Sequence, residues 1–284
     1  MNLKTFYRIY YRHRFEKANV LLKVYLYITI FPKYLINLFY LPSKKNLDIF
    51  SKKNFDYFQK DLNNLFQIFN SDKGEKFINQ YTQPSKKNNI TLTAHGYAKF
   101  YEKYFKEIRD KKLNIIELGS FYGNASAALF FYFKNSIIYS ADINPDMYLY
   151  KSKRLKNFFI DSSSRFSIEQ NLIKKNLNFD IIIEDASHML KDQIISLFML
   201  FKILKPGGIF IIEEIDFPEK KEDMRINQTP PDLKTILNKI LQKEDFKSDY
   251  IKKDEKSYFL NNYDTIEFFK GNINEIAIIR KKFF

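Results

Sequence analysis

The 284-residue sequence contains no cysteine, which excludes a disulfide framework and any metal site built on thiolates. Glycine and alanine are scarce, whereas lysine, asparagine, isoleucine and phenylalanine are abundant. We interpret this bias as codon drift in an AT-rich genome rather than as a functional signal. Internal repeats and long low-complexity tracts are also missing. The hydrophobic content of 45% argues against wholesale disorder, and the length suffices for one α/β domain with an appendage.

Acidic residues are few near the amino terminus. The formal net charge is +14, and residues 1–60 contribute +9 of it through twelve Lys and Arg against three Asp and Glu. A basic surface of this kind attracts nucleic acid, anionic lipid or a phosphorylated substrate. A solvated, lysine-rich surface without a partner fits the composition equally well.

The sequence also lacks an apolar run long enough to predict a membrane-spanning helix, which needs about 20 residues. The run from Ala18 to Phe31 is shorter and is interrupted by polar residues, and no small-residue signal-peptide cleavage site follows it. Residues 1–42 could lie on an anionic membrane face, cap a core or form a dimer contact. We therefore expect a cytoplasmic protein, and leave open homo-oligomerisation and peripheral contact with the inner face of the membrane. Pro32 and Pro42 are expected to interrupt this segment.

Strand and helix patterns alternate through the rest of the chain, which predicts βαβ units and a parallel sheet. The expected strands are 112–118, 136–141, 157–160, 179–184, 208–212, 257–260, 265–269 and 275–280. The expected helices are 54–70, 94–105, 124–133, 164–176, 190–204 and 233–241, with a polar connector at 44–53 and a tight turn at 205–208. The predicted fold is α/β with a Rossmann-like, mostly parallel sheet, a C-terminal antiparallel hairpin and a helical N-terminal region. The predicted divisions are a basic aromatic segment (1–53), a helical lead-in (54–110) and the main domain (111–284).

A glycine-containing turn follows the first strand of this domain. Residues 117–123 read E-x-G-x-x-x-G, and Asp142 ends the next strand, where a carboxylate can bind ribose hydroxyls. Phe121 occupies the position of the second glycine of a dinucleotide-binding motif, which disfavours NAD and FAD. The pattern, with Asp161 after the third strand, resembles the class I S-adenosylmethionine-dependent methyltransferases. The resemblance implies an S-adenosylmethionine site at the following residues: Glu117, Gly119, Ser120, Gly123, Asp142 and Asp161.

Acidic residues follow two further predicted strands. Asp185 and His188 come after strand 179–184, and Glu213 and Glu214 come directly after strand 208–212. Ligands of open α/β sheets bind beyond the carboxyl ends of the strands, so these side chains are expected to converge. Three carboxylates and an imidazole form a site for a hard cation, with a base beside it. Such a donor set suits Mg²⁺ or Mn²⁺ better than Zn²⁺.

The spacing of these residues is similar to that of the metal-dependent sugar O-methyltransferases of macrolide biosynthesis. The likeness begins at Asn-Ser-Asp-Lys-Gly (70–74) and His-Gly-Tyr (95–97) and ends at the acidic pair 213–214. It implies that Asp185, Glu213 and Glu214 hold Mg²⁺ and that His188 is the general base. It also implies a cofactor role for Lys73 and a pocket lined by Tyr97 and Tyr101. One departure is Glu214, because the family commonly has aspartate there.

The resemblance predicts methyl transfer to a sugar hydroxyl that is free, nucleotide-linked or part of a glycan or natural product. A catechol-type O-methyltransferase remains an alternative. A third class is an RNA-binding methyltransferase or binding module, although no N-P-P-Y or D-P-P-Y motif follows the fourth strand and nucleic acid is therefore disfavoured. A membrane-associated scaffold with idle catalytic residues is the fourth.

Overall fold

The computed structural model describes residues 18–78 and 91–283, together with residues 3, 6, 7, 11, 14 and 15. The strands are β1 (Lys45–Asn46), β2 (Lys76–Ile78), β3 (Thr91–Thr93), β4 (Asn114–Leu118), β5 (Ile137–Asp142), β6 (Tyr150–Lys151), β7 (Leu155–Phe159), β8 (Phe179–Glu184), β9 (Leu204–Ile212), β10 (Tyr263–Lys270) and β11 (Glu275–Lys281). The α-helices are α1 (Val20–Phe39), α2 (Leu47–Lys53), α3 (Leu62–Ile68), α4 (Ala98–Phe105), α5 (Asn124–Tyr132), α6 (Arg165–Asn171), α7 (Leu190–Leu200), α8 (Phe217–Lys220), α9 (Leu233–Leu241) and α10 (Lys253–Asn262). Short 3₁₀ helices occupy Phe55–Gln59, Lys106–Ile108, Pro145–Met147, Ile173–Lys175, Phe201–Ile203 and Glu222–Met224.

A seven-stranded sheet has the order β10-β11-β9-β8-β4-β5-β7. The neighbours from β9 to β7 pair in parallel, whereas β11 is antiparallel to both β9 and β10. Strand order reverses beside β4, because β5 lies on one side of it and β8 on the other. Ligands of such sheets bind at this switch point, so the fold places the ends of β4, β5, β8 and β9 around one cleft.

Consecutive residues of the central strands face opposite sides of the sheet, as the period of two requires. Ile116 and Ile182 belong to an apolar core with helices α6, α7, α9 and α10. Ile115 and Ile181 belong to a second core with helices α3, α4 and α5. Both strands are thus buried on two faces, which is why their sequences are continuous apolar runs. Helices α3 and α4, which belong to the predicted lead-in, thus pack directly against the sheet.

The mostly parallel sheet, its central strands and the C-terminal antiparallel hairpin confirm the predicted fold. Several predicted elements were wrong. Residues 257–260 belong to helix α10, whose first-turn acidic residues favour helix over strand. The turn predicted at 205–208 lies inside β9, and the connector 44–53 contains β1 and helix α2, which Asn46 caps. The helix predicted at 54–70 is divided into a 3₁₀ helix and α3, which Asp61 caps.

The N-terminal segment also differs from its prediction. Helix α1 does not stop at Pro32 but continues through it to Phe39, because the apolar residues beyond it extend the helix. By length and composition alone, its 20 residues are enough to cross a membrane. Its side chains Leu26, Ile30 and Tyr34 pack against Phe6 and Tyr11 in a small cluster separate from the two cores of the sheet.

Candidate active site

A cavity of about 590 Å³ opens beyond the carboxyl ends of the central strands. Residues from both predicted halves of the site line it, together with the apolar side chains of Phe77, Leu92, Phe217 and Ile273. The predicted residues that line it are Lys73, Glu117, Gly119, Ser120, Asp142, Asp185, His188, Glu213 and Glu214. The structure therefore brings into one space the groups that the sequence pattern placed at separate strand ends.

The glycines of the first turn are required by close approaches within the protein. Gly119 has φ +86°, and a Cβ there would lie 1.9 Å from the carbonyl oxygen of Asp185. Gly123 has φ +81°, and a Cβ there would lie 2.3 Å from the ring of Tyr148. Only glycine adopts this backbone freely and also leaves this space. The turn thus fixes the end of β4 against the end of β8.

The polar groups of this turn are held by buried hydrogen bonds. Glu117 accepts a hydrogen bond from the Ser126 hydroxyl at 2.6 Å. Asp142 accepts hydrogen bonds from the backbone N–H groups of Phe121 and Asn144 at 2.8 and 2.7 Å. The hydroxyl oxygen of Ser120 has no partner among the described residues, which leaves it available to a ligand.

Asp161 is not among the residues that line the cavity. Its carboxylate instead accepts hydrogen bonds from the backbone N–H and the hydroxyl of Ser163, at 3.1 and 2.6 Å. This is the local turn-capping arrangement that aspartate commonly adopts after a strand. Its assignment to the cofactor remains a prediction that the cavity does not support.

Lys73 lies at the centre of the acidic end, with a relative exposure of 1%. Its ammonium contacts the carboxylate of Asp185, lies 2.9 Å from Glu213 and lies 3.6 Å from Glu117. Burial acts to lower the pKa of Lys73, but these three carboxylates outweigh it and raise the pKa well above its ordinary value. Lys73 is therefore a fixed internal cation that joins the carboxylates of β4, β8 and β9.

The adjacent residues Glu213 and Glu214 have different partners. Glu213 accepts a hydrogen bond from the Tyr101 hydroxyl in addition to its contact with Lys73. Glu214 lies between two imidazoles, with His188 Nε2 at 2.8 Å and His95 Nε2 at 3.1 Å. Glu214 has φ +51°, and this left-handed backbone turns its side chain toward the histidines rather than toward Lys73.

His188 and Glu214 perturb each other strongly. Burial acts to lower the pKa of His188, but the hydrogen bond and charge of Glu214 raise it to about 9. Burial acts to raise the pKa of Glu214, but the hydrogen bond and charge of His188 lower it to about 2. His188 Nδ1 has no partner among the described residues. The pair therefore fixes the imidazole through one nitrogen and leaves the other free for chemistry.

Asp185, His188 and Glu214 each offer a ligand atom, and these three atoms lie within 4.8 Å of one another. A pair of carboxylates beside an imidazole fits a hard divalent cation. Glu213 lies outside this group of three and is directed toward Lys73 and Tyr101 instead. The donor set thus fits the predicted metal, and the geometry favours Glu214 over Glu213 as a ligand.

Two residues that contact Glu214, His95 and Asn274, were not among the site residues predicted from the sequence. His95 contacts Glu214, and Asn274 donates to Glu214 Oε1 at 3.2 Å and lies 3.2 Å from His95 Nδ1. Backbone hydrogen bonds explain why the two N-terminal motifs belong together: the carbonyls of residues 72, 73 and 74 accept from the N–H groups of residues 95, 97 and 96. The His-Gly-Tyr motif carried the signal for His95, whereas no pattern pointed to Asn274.

Comparisons with known proteins agree with this fold. No family model matches the chain. Over 128 residues it is 27% identical to 8-demethyl-8-alpha-L-rhamnosyl tetracenomycin-C 2'-O-methyltransferase of Streptomyces olivaceus, covering 43% of this chain and 33% of that protein. It is 25% identical over 130 residues to demethylmacrocin O-methyltransferase of Streptomyces fradiae, covering 43% and 32%. The chain thus matches about a third of the length of these curated relatives.

A solved structure of MycE methyltransferase from mycinamycin biosynthesis, in complex with Mg, SAH and mycinamycin VI, superposes with a TM-score of 0.58 at 17% identity. The superposition covers 78% of this chain and 55% of that one. A likeness at this identity establishes the architecture. The chain has the class I methyltransferase fold and is similar in sequence to the sugar O-methyltransferases named above.

Proposed function

We propose that the protein is an S-adenosylmethionine-dependent O-methyltransferase that acts on a sugar hydroxyl of a small molecule or glycan. One observation supports this most directly: the Gly119 turn and the cluster of Asp185, His188 and Glu214 line the same cavity. A methyl donor held at the turn and a hydroxyl held at the cluster would share one space. Such alignment is the main requirement of a direct displacement reaction.

The cofactor end fits S-adenosylmethionine through its own residues. Asp142 lies at the end of β5, where a carboxylate can accept hydrogen bonds from ribose hydroxyls. The Ser120 hydroxyl has no protein partner among the described residues. Gly119 lines the cavity between them, and Gly123 ends the same turn. We propose that these residues and Glu117 bind the cofactor and hold its sulfonium toward the acidic end.

We propose that His188 is the general base. Its Nε2 donates to Glu214, which orients the ring, and its unpartnered Nδ1 would accept the proton of the acceptor hydroxyl when the ring is neutral. Because the pKa of His188 is raised to about 9, the neutral ring is the minor form at neutral pH and becomes more abundant as pH rises. The acceptor oxygen would form its bond to the methyl carbon while the carbon–sulfur bond breaks and S-adenosylhomocysteine leaves. The proton ends on Nδ1, and the charge of the imidazolium is balanced by Glu214.

The ligands proposed from the resemblance are Asp185, Glu213 and Glu214, and the structure favours Asp185 and Glu214 with His188 beside them. When bound, Mg²⁺ or Mn²⁺ would polarise the acceptor hydroxyl as a Lewis acid and neutralise the carboxylates. Lys73, Tyr101 and His95 contact these carboxylates and hold them in place, and apolar residues such as Phe217 line the cavity.

The experiment is transfer of labelled methyl from S-adenosylmethionine to a panel of nucleotide sugars, surface polysaccharides and glycosylated natural products, with a catechol and an RNA included. We expect transfer to a sugar hydroxyl, loss of transfer in excess EDTA and recovery with Mg²⁺. His188→Ala should bind S-adenosylmethionine as the wild type does but lose most of its turnover. Transfer to the catechol or RNA alone, or full activity in EDTA, would overturn the proposal.

A further inference from the structure

Helix α1 is almost entirely unpacked, although its composition is that of a buried element. Leu26 is its one buried residue, whereas Leu21, Ile28 and Phe39 are 82%, 67% and 89% exposed. Soluble helices that are apolar on most sides are ordinarily covered by protein or lipid. The small cluster under α1 covers only the side that carries Leu26 and Ile30.

The exposed surface is continuous rather than scattered. At about 100° per residue, one broad face of the helix carries apolar side chains only. That face consists of Val20, Leu21, Val24, Tyr25, Tyr27, Ile28, Phe31, Pro32, Leu35, Ile36, Leu38 and Phe39. The polar side chains Lys23, Lys33 and Asn37 share the opposite side with the residues that pack on the cluster.

The charge around this face is of one sign. From Lys17 to Leu47 the sequence contains five lysines and no acidic residue. Anionic lipid headgroups would neutralise these charges, whereas a second copy of the same basic segment offers no opposite charge to do so. The distribution, with an apolar face below and lysines above, is that of helices that lie in the plane of a bilayer surface.

We propose that α1 docks on an anionic lipid bilayer and lies in the plane of its surface, with the apolar face immersed and Lys23 and Lys33 directed to the headgroups. A spanning orientation would place Lys33 and Asn37 within the hydrocarbon region, where polar groups are costly. The in-plane arrangement does not depend on the identity of the reaction, because it rests on α1 alone.

Binding is tested by flotation of the full-length protein with vesicles of phosphatidylcholine alone or of phosphatidylcholine with phosphatidylglycerol. We expect binding to the anionic vesicles that weakens as salt increases. Replacing Leu21, Ile28 and Leu35 together by glutamate should lower the partition coefficient by at least about tenfold. The matched control replaces Phe55, Phe166 and Ile226 together by glutamate. These residues lie outside α1 with comparable exposure, so this variant should bind as the wild type does.

Orientation is tested with single tryptophans, because the chain contains none. Leu21→Trp, Ile28→Trp and Phe39→Trp place the reporter along one line of the apolar face. Quenching by lipids brominated at defined depths should give equal, shallow depths for all three. A deep central position with shallow ends would show a spanning helix and overturn the in-plane proposal. Equal flotation of the triple variant and the wild type would overturn membrane docking. So would a wild-type protein that is dimeric in solution when the triple variant is monomeric and the control variant is still dimeric.

Discussion

The two ends of the cavity are built in different ways. The proposed cofactor end is formed mainly by one short stretch, Glu117–Gly123, with Asp142 beside it. The acidic end is formed by side chains from distant parts of the chain, which include Lys73, His95, Asp185 and Glu214. A local motif therefore describes most of the first end, whereas the second depends on tertiary packing. Substitutions should accordingly act through backbone strain at one end and through unpaired charge at the other.

The largest effect is expected from Gly119→Ala. The added Cβ would lie 1.9 Å from a backbone oxygen of Asp185, in a left-handed conformation that alanine disfavours. We expect a loss of more than about 4 kcal/mol in the free energy of unfolding, or no soluble protein. Thermal and denaturant unfolding would measure it. Gly74→Ala, at a glycine without positive φ, is the control, and equal stability of the two variants would contradict the prediction.

Lys73→Met should have the next largest effect, because it leaves Glu117, Asp185 and Glu213 buried without their common cation. Breaking a buried ion pair from one side costs about 3–5 kcal/mol. The matched control is Lys103→Met. The side chain of Lys103 is 52% exposed, and that of its partner Glu267 is 39% exposed. That change should cost less than about 1 kcal/mol. Similar unfolding free energies for the two variants would show that Lys73 does not bind the site together.

Glu214→Gln should weaken Mn²⁺ binding by about 10–100-fold, as the loss of a ligand or its support typically does. Glu213→Gln should change it less, since Lys73 and Tyr101 already occupy that carboxylate. Calorimetry or electron paramagnetic resonance of Mn²⁺ would measure the affinities, with S-adenosylmethionine affinity as the control for folding. The reverse order would restore Glu213 as the principal ligand of the pair.

The smallest effect concerns Glu255, a carboxylate outside the cavity that pairs with Arg165 at 2.6 Å. Burial acts to raise the pKa of Glu255, but the hydrogen bonds and charge of Arg165 outweigh it and lower the pKa. This lowered pKa contributes stability above the pKa of the unfolded chain, and the contribution is lost as pH falls through the folded value. Glu255→Gln should therefore cost about 1 kcal/mol at neutral pH, because Arg165 is partly exposed.

Unfolding of both proteins as a function of pH is the measurement. The difference between the wild type and Glu255→Gln should disappear at acidic pH. A difference that is constant from neutral to acidic pH would mean that the ion pair is not its cause.

Sequence patterns predicted the sheet because its strands are buried on both faces and read as apolar runs, as at Phe179–Glu184. They failed at α10, where the apolar residues of 257–260 predict a strand, whereas the helix buries Phe259 and leaves Tyr258 and Leu260 half-buried on either side of it. The carboxylates Asp185 and Glu214 were predicted because they end strands. Their partners Lys73 and Asn274 lie on loops, whose approach to the site depends on the folded chain rather than on local pattern.

The position of Asn274 has a consequence for biosynthesis. This residue lies between the last two strands, and β11 enters the sheet between β9 and β10. A nascent chain that has emerged just past β9 already contains the glycine turn. It also contains Asp185, His188, Glu213 and Glu214 of the acidic end. Strand β9 would not yet be paired with β11, and Glu214 would lack its hydrogen bond from Asn274. The complete set of contacts around Glu214 should therefore form late in synthesis, only after β11 has left the ribosome.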